Sequence, residues 1–120
     1  AKAKDKNGKL RKLYKNSPLY EGDTIVTERK SIAVLVFKDN TRTTVQASSE
    51  FLIERFSYKP KEPKSNHAGF KLIKGSLRFL TGKVGKLNRE KYTIKTPTSS
   101  IGIRGTGFDL SYSNFFAILL

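Results

Sequence analysis

The stretch from residue 92 to residue 110 constrains the fold most, because it reads as strand, turn and strand. Residues 92–96 alternate between apolar and polar, which is the two-residue period of a half-buried β-strand. Pro97 has no backbone N–H to donate, so strand pairing is predicted to stop or to shift in register there. Alternation resumes at Ile101, and three glycines then indicate close backbone approach, a bulge or residues with positive φ.

Arg104 lies among these glycines, and a glycine-rich loop with a cation can cradle a phosphate group. The run lacks the Gly-Lys-Ser/Thr ending of a nucleotide-binding loop, and it leads into a strand pattern instead of a helix. The spacing of Gly102, Gly105 and Gly107 also differs from that of the dinucleotide-binding pattern. We therefore interpret the run as a tight structural corner, in which Arg104 bonds backbone carbonyls or a carboxylate.

Short strand patterns recur along the whole chain with turn residues between them, and no segment shows a sustained helical period. Asp39-Asn40 lies between two such patterns and indicates a hairpin turn. The predicted fold class is all-β, a single domain of short strands that is sandwich-like or a short β-solenoid. Strands are predicted near 24–27, 31–37, 42–47, 51–56, 70–80, 92–96 and 101–112.

Basic residues dominate the charge of this chain, whose net charge is +14 over 120 residues. Residues 1–15 read as a basic N-terminal arm and lead-in, and residues 16–120 as the β domain. Within the arm, residues 1–9 are predicted to be flexible because they have little to bury. Residues 58–69 are polar and broken by two prolines, so they are predicted to form an exposed, mobile loop.

Two interpretations of the charge stay open at this point. One is a solvated, lysine-rich surface that keeps the protein in solution. The other is binding to an anionic neighbour, whether nucleic acid, lipid headgroups, an acidic polymer or an acidic protein.

Side chains that could perform catalysis or hold a metal are scarce in the sequence. There is no cysteine, and His67 is the only histidine, which makes it a poor metal ligand and a predicted solvated loop residue. Neither the H-x-x-x-H nor the G-x-S-x-G pattern occurs. The sequence therefore predicts a protein without enzymatic activity, catalytic residues, cofactor or metal. No run approaches the roughly 20 apolar residues that span a bilayer.

Two motifs stand out along the chain. A Gly-Asp-x-Ile-x-Thr element starts at residue 22, and a Thr-Pro dipeptide is followed by Ile101, Ile103, an Arg-Gly-Thr run and a phenylalanine. Together these motifs resemble those of the FecR-type domain. The resemblance covers about residues 19–112, and Asn40 stands where the family usually has glycine, a mild change because asparagine tolerates the left-handed conformation. The matching motif residues, interpreted as structural before functional, are Gly22, Asp23, Thr96, Pro97, Arg104, Gly105, Thr106 and Phe108.

The resemblance implies a non-enzymatic protein-binding module, a sensor or scaffold, in the periplasm or cell envelope, with a signal peptide removed. In its best-known setting such a domain passes a signal from an outer-membrane transporter, through a membrane helix, to a sigma factor. The sequence shows neither that helix nor a cytoplasmic segment, so the sigma-factor role stays open. The alternative is a basic structural or assembly subunit that docks onto an anionic polymer, lipid or filament; nucleic acid is not the expected partner.

The end of the chain is a continuous apolar run. Such a run is too short to span a membrane, and exposed it would favour aggregation. It is therefore predicted to be buried as a strand added at a sheet edge, covered on both faces by this domain or by a partner. The candidate interface residues are Phe115, Phe116, Ile118, Leu119 and Leu120.

Overall fold

The computed structural model describes residues 1–80, 92–102, 107–112 and 117–119. None of these segments forms a helix that is long and apolar enough to cross a membrane. The prediction of a single all-β domain is confirmed. Within the described ranges there is one 3₁₀ turn, Pro63–Ser65, and the strands are β1 (Lys2–Lys4), β2 (Leu10–Lys12), β3 (Thr24–Val26), β4 (Ala33–Val36), β5 (Arg42–Val45), β6 (Glu50–Ser57), β7 (His67–Leu80), β8 (Tyr92–Thr96), β9 (Ser99–Gly102), β10 (Gly107–Tyr112) and β11 (Ala117–Leu119).

Strand β7 organises the sheet because it pairs with two different sets of neighbours along its length. Its first half pairs with β6 and, in parallel, with β8, whereas its second half pairs with β5 and β10. The strand order β2-β1-β3-β6-β7-β8-β9 forms what we call sheet I, and β4-β5-β7-β10-β11 forms sheet II. Because both sheets share β7, the whole assembly curls into a half-barrel.

The change from one sheet to the other occurs at Gly75, whose φ is +92°. The Ser49 hydroxyl lies against it, accepting a hydrogen bond from the Ser76 backbone N–H at 3.0 Å and donating one to the Ala47 carbonyl at 3.0 Å. A Cβ on Gly75 would collide with the Ser49 side chain and approach the Ser49 Cα to 2.6 Å. The bend of β7 therefore requires glycine both for its backbone conformation and for its space.

Aromatic side chains from both sheets meet on the inner side of β7. The ring of Phe70 lies 5.3 Å from those of Phe37 and Phe51, 5.5 Å from Phe79 and 5.7 Å from Tyr92, measured between centroids. All of these except Phe37 are fully buried. Burying one side chain of this size contributes about 1.5–3 kcal/mol, so this cluster is a large part of what closes the half-barrel.

A buried polar network ties the β4–β5 hairpin to β8. The Tyr92 hydroxyl lies 2.6 Å from Thr41 Oγ1, and the Thr41 hydroxyl and backbone N–H both donate to the Asp39 carboxylate, at 2.9 and 3.0 Å. Asn40 has a φ of +69°, the left-handed conformation that asparagine tolerates. Burial raises the pKa of the Tyr92 phenol well above its usual range, although the hydrogen bond with Thr41 opposes this.

The prediction of a flexible arm over residues 1–9 is wrong. Strand β1 lies between β2 and β3, and Ala3 is fully buried. In Lys2-Ala3-Lys4 the period of two is present, but the apolar position holds only an alanine, which gives a weak strand signal. The hairpin of β1 and β2 is ordered because β1 pairs with β3. Local composition does not predict such pairing with a distant strand.

The predicted loop over residues 58–69 is shorter than expected. Strand β7 already begins at His67, which is half-buried and therefore not a solvated loop residue. Asn66 is buried and accepts a hydrogen bond from the Lys59 backbone N–H at 2.6 Å, which closes the base of the loop. Residues 59–62 are exposed, as predicted.

Gly75→Ala is expected to lower the free energy of unfolding by roughly 2–4 kcal/mol, because the new Cβ adds strain at positive φ to overpacking against Ser49. The matched control is Gly102→Ala, since a Cβ at Gly102 has nothing within 4 Å and its φ is not positive. Urea denaturation of both variants provides the measurement. Equal stabilities would show that β7 can bend without the glycine.

The Tyr92→Phe variant is expected to lose less free energy of unfolding than the unaltered protein as the pH rises into the alkaline range. In the unfolded chain Tyr92 ionises near its ordinary pKa of about 10, whereas in the fold it stays protonated. Its raised pKa therefore contributes stability that is fully present below about pH 10 and is lost as the pH rises further. The phenylalanine variant, which is less stable at neutral pH by about 0.5–1.5 kcal/mol, lacks this dependence. Urea denaturation between about pH 8 and 11 tests it, and parallel curves for both proteins would contradict it.

Candidate functional site

The first pair of family-motif residues holds the N-terminal hairpin to the domain. Gly22 has a φ of +87° and its backbone N–H donates to the Ile53 carbonyl at 2.7 Å. The buried Asp23 carboxylate accepts from both terminal nitrogens of Arg11, at 2.6 and 3.3 Å, and from the Tyr20 backbone N–H at 2.8 Å. The hydrogen bond with Asp23 raises the pKa of Arg11. Gly22 and Asp23 therefore both form hydrogen bonds inside the domain that stabilise its fold.

The second pair shapes the turn between β8 and β9. Pairing stops at Pro97 as predicted, and the buried Thr96 Oγ1 accepts from the Ser99 backbone N–H at 3.1 Å. Phe108 stacks on Phe79 with ring centroids 5.2 Å apart, and Gly107 leaves room for Leu80, which a Cβ would approach to 2.7 Å. These motif residues also support the fold.

Other predicted site residues lie wholly or partly outside the described residues. Arg104, Gly105 and Thr106 are among them, so their interpretation as a structural corner stays a prediction. For the apolar C-terminal run, Ala117–Leu119 forms β11 and pairs with β10 at the edge of sheet II, as the strand-addition hypothesis requires. Phe115, Phe116 and Leu120 lie outside the described residues, and the predicted burial of the run stays a prediction.

The opposite edge of sheet II is open. Strand β4 pairs only with β5 in the part of the chain that the structure describes. The Phe37 backbone N–H donates to the Thr41 carbonyl at 2.9 Å. Hydrogen-bonded positions alternate along an antiparallel pair, so the backbone N–H and C=O groups of Leu35 and Ala33 also point toward β5. The N–H and C=O groups of Val34 and Val36 therefore point away from β5, toward solvent.

This free edge carries apolar, β-branched side chains. Ile32, Val34 and Val36 are 59%, 55% and 58% exposed, whereas Leu35 between them is buried. Natural proteins usually prevent pairing at an exposed edge with a charged residue, a proline or a bulge. Residues 32–36 contain neither a charged residue nor a proline. An edge with both free backbone groups and apolar side chains is suited to pairing with another strand.

A groove of about 1090 Å³ lies at this edge and is lined by residues 32–38, which include β4. Residues 13–21, residue 53 and residues 56–59 also line it. Tyr14 and Tyr20 belong to this lining and are 72% and 60% exposed. The groove can therefore offer both backbone hydrogen bonds and aromatic contacts to an extended apolar segment.

Sequence reasoning predicted a strand over residues 31–37 but did not identify it as a binding edge. Its nearly continuous apolar run indicated a strand and nothing about its place in the sheet. Which strand lies at an edge depends on the pairing of β5 with β7, and no local pattern carries that information. Among the described residues there is no group of three or more His, Asp or Glu side chains that could hold a metal ion.

The curled sheet built around a shared β7 defines an all-β domain of the half-barrel type. The FecR protein family matches residues 23–115, so this chain belongs to that family. A solved structure from Parabacteroides distasonis, provisionally described as an anti-sigma factor, is similar with a TM-score of 0.54 at 12% identity. The likeness covers 76% of this chain and 38% of that one, and at this identity it concerns the fold alone. No match was found among curated proteins.

Asp23→Ala is expected to lower the free energy of unfolding by about 1.5–3 kcal/mol, because Arg11 and the Tyr20 N–H lose a charged acceptor. Asp109→Ala is the matched control. Its carboxylate is bonded to Arg78 at 2.9 Å, which lowers the pKa of Asp109, but the pair is exposed, so its loss should change stability little. Thermal melting compares the two. An unchanged melting temperature for Asp23→Ala would show that the motif does not hold the hairpin.

Proposed function

We propose that this domain is a non-enzymatic protein-interaction module of the cell envelope, which binds an extended segment of a partner protein along β4. The observation that carries the proposal is the free apolar edge of β4 beside the groove. Family membership supports a regulatory role, in which the domain acts as a sensor or scaffold in the periplasm. The likeness of fold to a protein described as an anti-sigma factor agrees with this role.

Strand addition supplies the affinity in this proposal. Val34 and Val36 each offer one donor and one acceptor to a partner strand, and each hydrogen bond contributes a net of about 0.5–1.5 kcal/mol. Selectivity comes from the side chains that the partner places against the groove. Tyr14 and Tyr20 are suited to be anchors, because exposed tyrosines provide large contact areas at a small entropic cost.

Val34→Pro is expected to abolish capture of the partner while leaving the domain folded. The Val34 N–H points away from β5, so proline removes no hydrogen bond within the sheet but blocks the outer one. Val34→Thr is the matched control, since it keeps the N–H and the β-branched shape. The measurement is a pulldown from an envelope extract, with the captured protein identified for the unaltered domain and then quantified for each variant.

Salt distinguishes this mode of binding from a purely ionic one. Capture through strand pairing and apolar contacts should persist at high salt, whereas capture that rests on surface charge should fall steeply. Circular dichroism confirms that each variant is folded. Equal capture by a folded Val34→Pro variant, or loss of capture at high salt with no dependence on residue 34, would refute binding at this edge.

A further inference from the structure

The outer face of sheet I is a second surface, separate from the groove beside β4. Side chains alternate across a strand, so the neighbours of the buried Ala3, Phe70 and Ile94 point outward. The register aligns these outward residues in rows across the sheet. One row, from β2 to β9, consists of Leu10, Lys4, Thr24, Leu52, Lys71, Lys95 and Ser100.

At one end of this face lies a cluster that we call the first basic patch, formed by Arg55, Lys71 and Lys95. Lys71 and Lys95 are direct neighbours on the parallel strands β7 and β8. Arg55 lies over Gly69, where a Cβ would come within 2.7 Å of its Nη1 atom. Among the described residues none of the three makes an ion pair. Like charges in this arrangement repel, so an anionic partner would relieve the repulsion.

The second basic patch, formed by Lys2, Lys4 and Lys12, lies at the other end of the face. Lys2 and Lys12 are directly opposite each other on β1 and β2. Of the three, only Lys2 forms an ion pair in the described part of the chain, with Glu28 at 3.8 Å. The patch therefore also retains uncompensated positive charge.

A neutral, partly apolar strip separates the two patches. Thr24 and Val26 of β3 and Leu52 of β6 form it, and all three are half-exposed. From β1 to β7 there are three steps between neighbouring strands, which is about 14 Å. Glu50 lies beside the strip and pairs with Lys74 at 3.3 Å, so the middle of the face also holds an acid.

We propose that this face docks a protein segment that is acidic at both ends and apolar in its middle. The two patches match the acidic ends, and Leu52 with Val26 matches the apolar centre. A uniformly charged polyanion or an anionic bilayer fits less well, because it would gain nothing over the strip and would meet Glu50. This surface lies on a different sheet from the β4 edge, so the inference does not rest on the proposed function.

A synthetic peptide provides the test. About five residues, extended at about 3.3 Å each, span the roughly 14 Å between the patches. A probe of about nine residues therefore carries leucine and valine over that length and two glutamates at each end. Fluorescence anisotropy at low salt measures its binding. Lys71→Gln combined with Lys95→Gln is expected to weaken binding about fivefold. The control, Lys38→Gln with Lys61→Gln, removes the same charge elsewhere and should leave binding within about twofold.

Further binding measurements distinguish this kind of partner from a polyanion or a membrane. A peptide of the same composition with its glutamates in the centre should bind more weakly, and Val34→Pro should bind the probe normally. Absence of binding by the probe at low salt would overturn the proposal, as would equal binding of the rearranged peptide. Tighter binding of polyphosphate or of phosphatidylglycerol vesicles, with the same dependence on Lys71 and Lys95, would assign the face to a polyanion or to a membrane instead.

Discussion

The contact between Gly75 and Ser49 is the constraint on which the rest of this structure depends. It lets one continuous strand leave sheet I and enter sheet II, because glycine alone accepts the positive φ and the closeness of Ser49. On either side of the bend, Phe70 and Phe79 then point into the same interior, their rings 5.5 Å apart. A small domain thus builds one core from two sheets without a covering helix in its described part, and the strands farthest from β7 are left as edges.

The outer face of sheet I and the edge strand β4 are the surfaces that the fold leaves available for binding. The apolar side chains that stabilise the domain are drawn inward around β7, so the outer face of sheet I can carry lysines at little cost to the core. Strand β4 is different, because Val34 and Val36 expose both apolar side chains and free backbone groups. That combination invites aggregation, and a partner that covers the edge would remove the hazard while gaining its hydrogen bonds. Val34 and Val36 on β4, and Lys71 and Lys95 on sheet I, lie outside the aromatic cluster, so substitutions at these positions can alter binding without opening the core.

Local patterns were sufficient where a strand carries its own signal. The alternation of residues 92–96 and an interruption of pairing at Pro97 were predicted and are confirmed. Asn40 takes the left-handed conformation that asparagine tolerates. Sequence reasoning failed where pairing decides the outcome, as at Lys2–Lys4 and at the start of β7, where neighbouring strands order residues that are poor strand formers. The open edge of β4 and the alignment of Lys71 with Lys95 depend on register between distant segments, which no local pattern states.

The described motif residues specify the fold of the family and carry no information about a binding partner. Gly22, Asp23 and Thr96 satisfy backbone groups at turns, and each acts through hydrogen bonds inside the domain. Turn geometry of this kind fixes where strands start and stop, so it specifies the half-barrel and says nothing about what binds to it. The residues that face solvent along β4 and across sheet I are not part of the motif. Two domains can therefore share every motif residue and still present different solvent-facing residues along β4 and across sheet I.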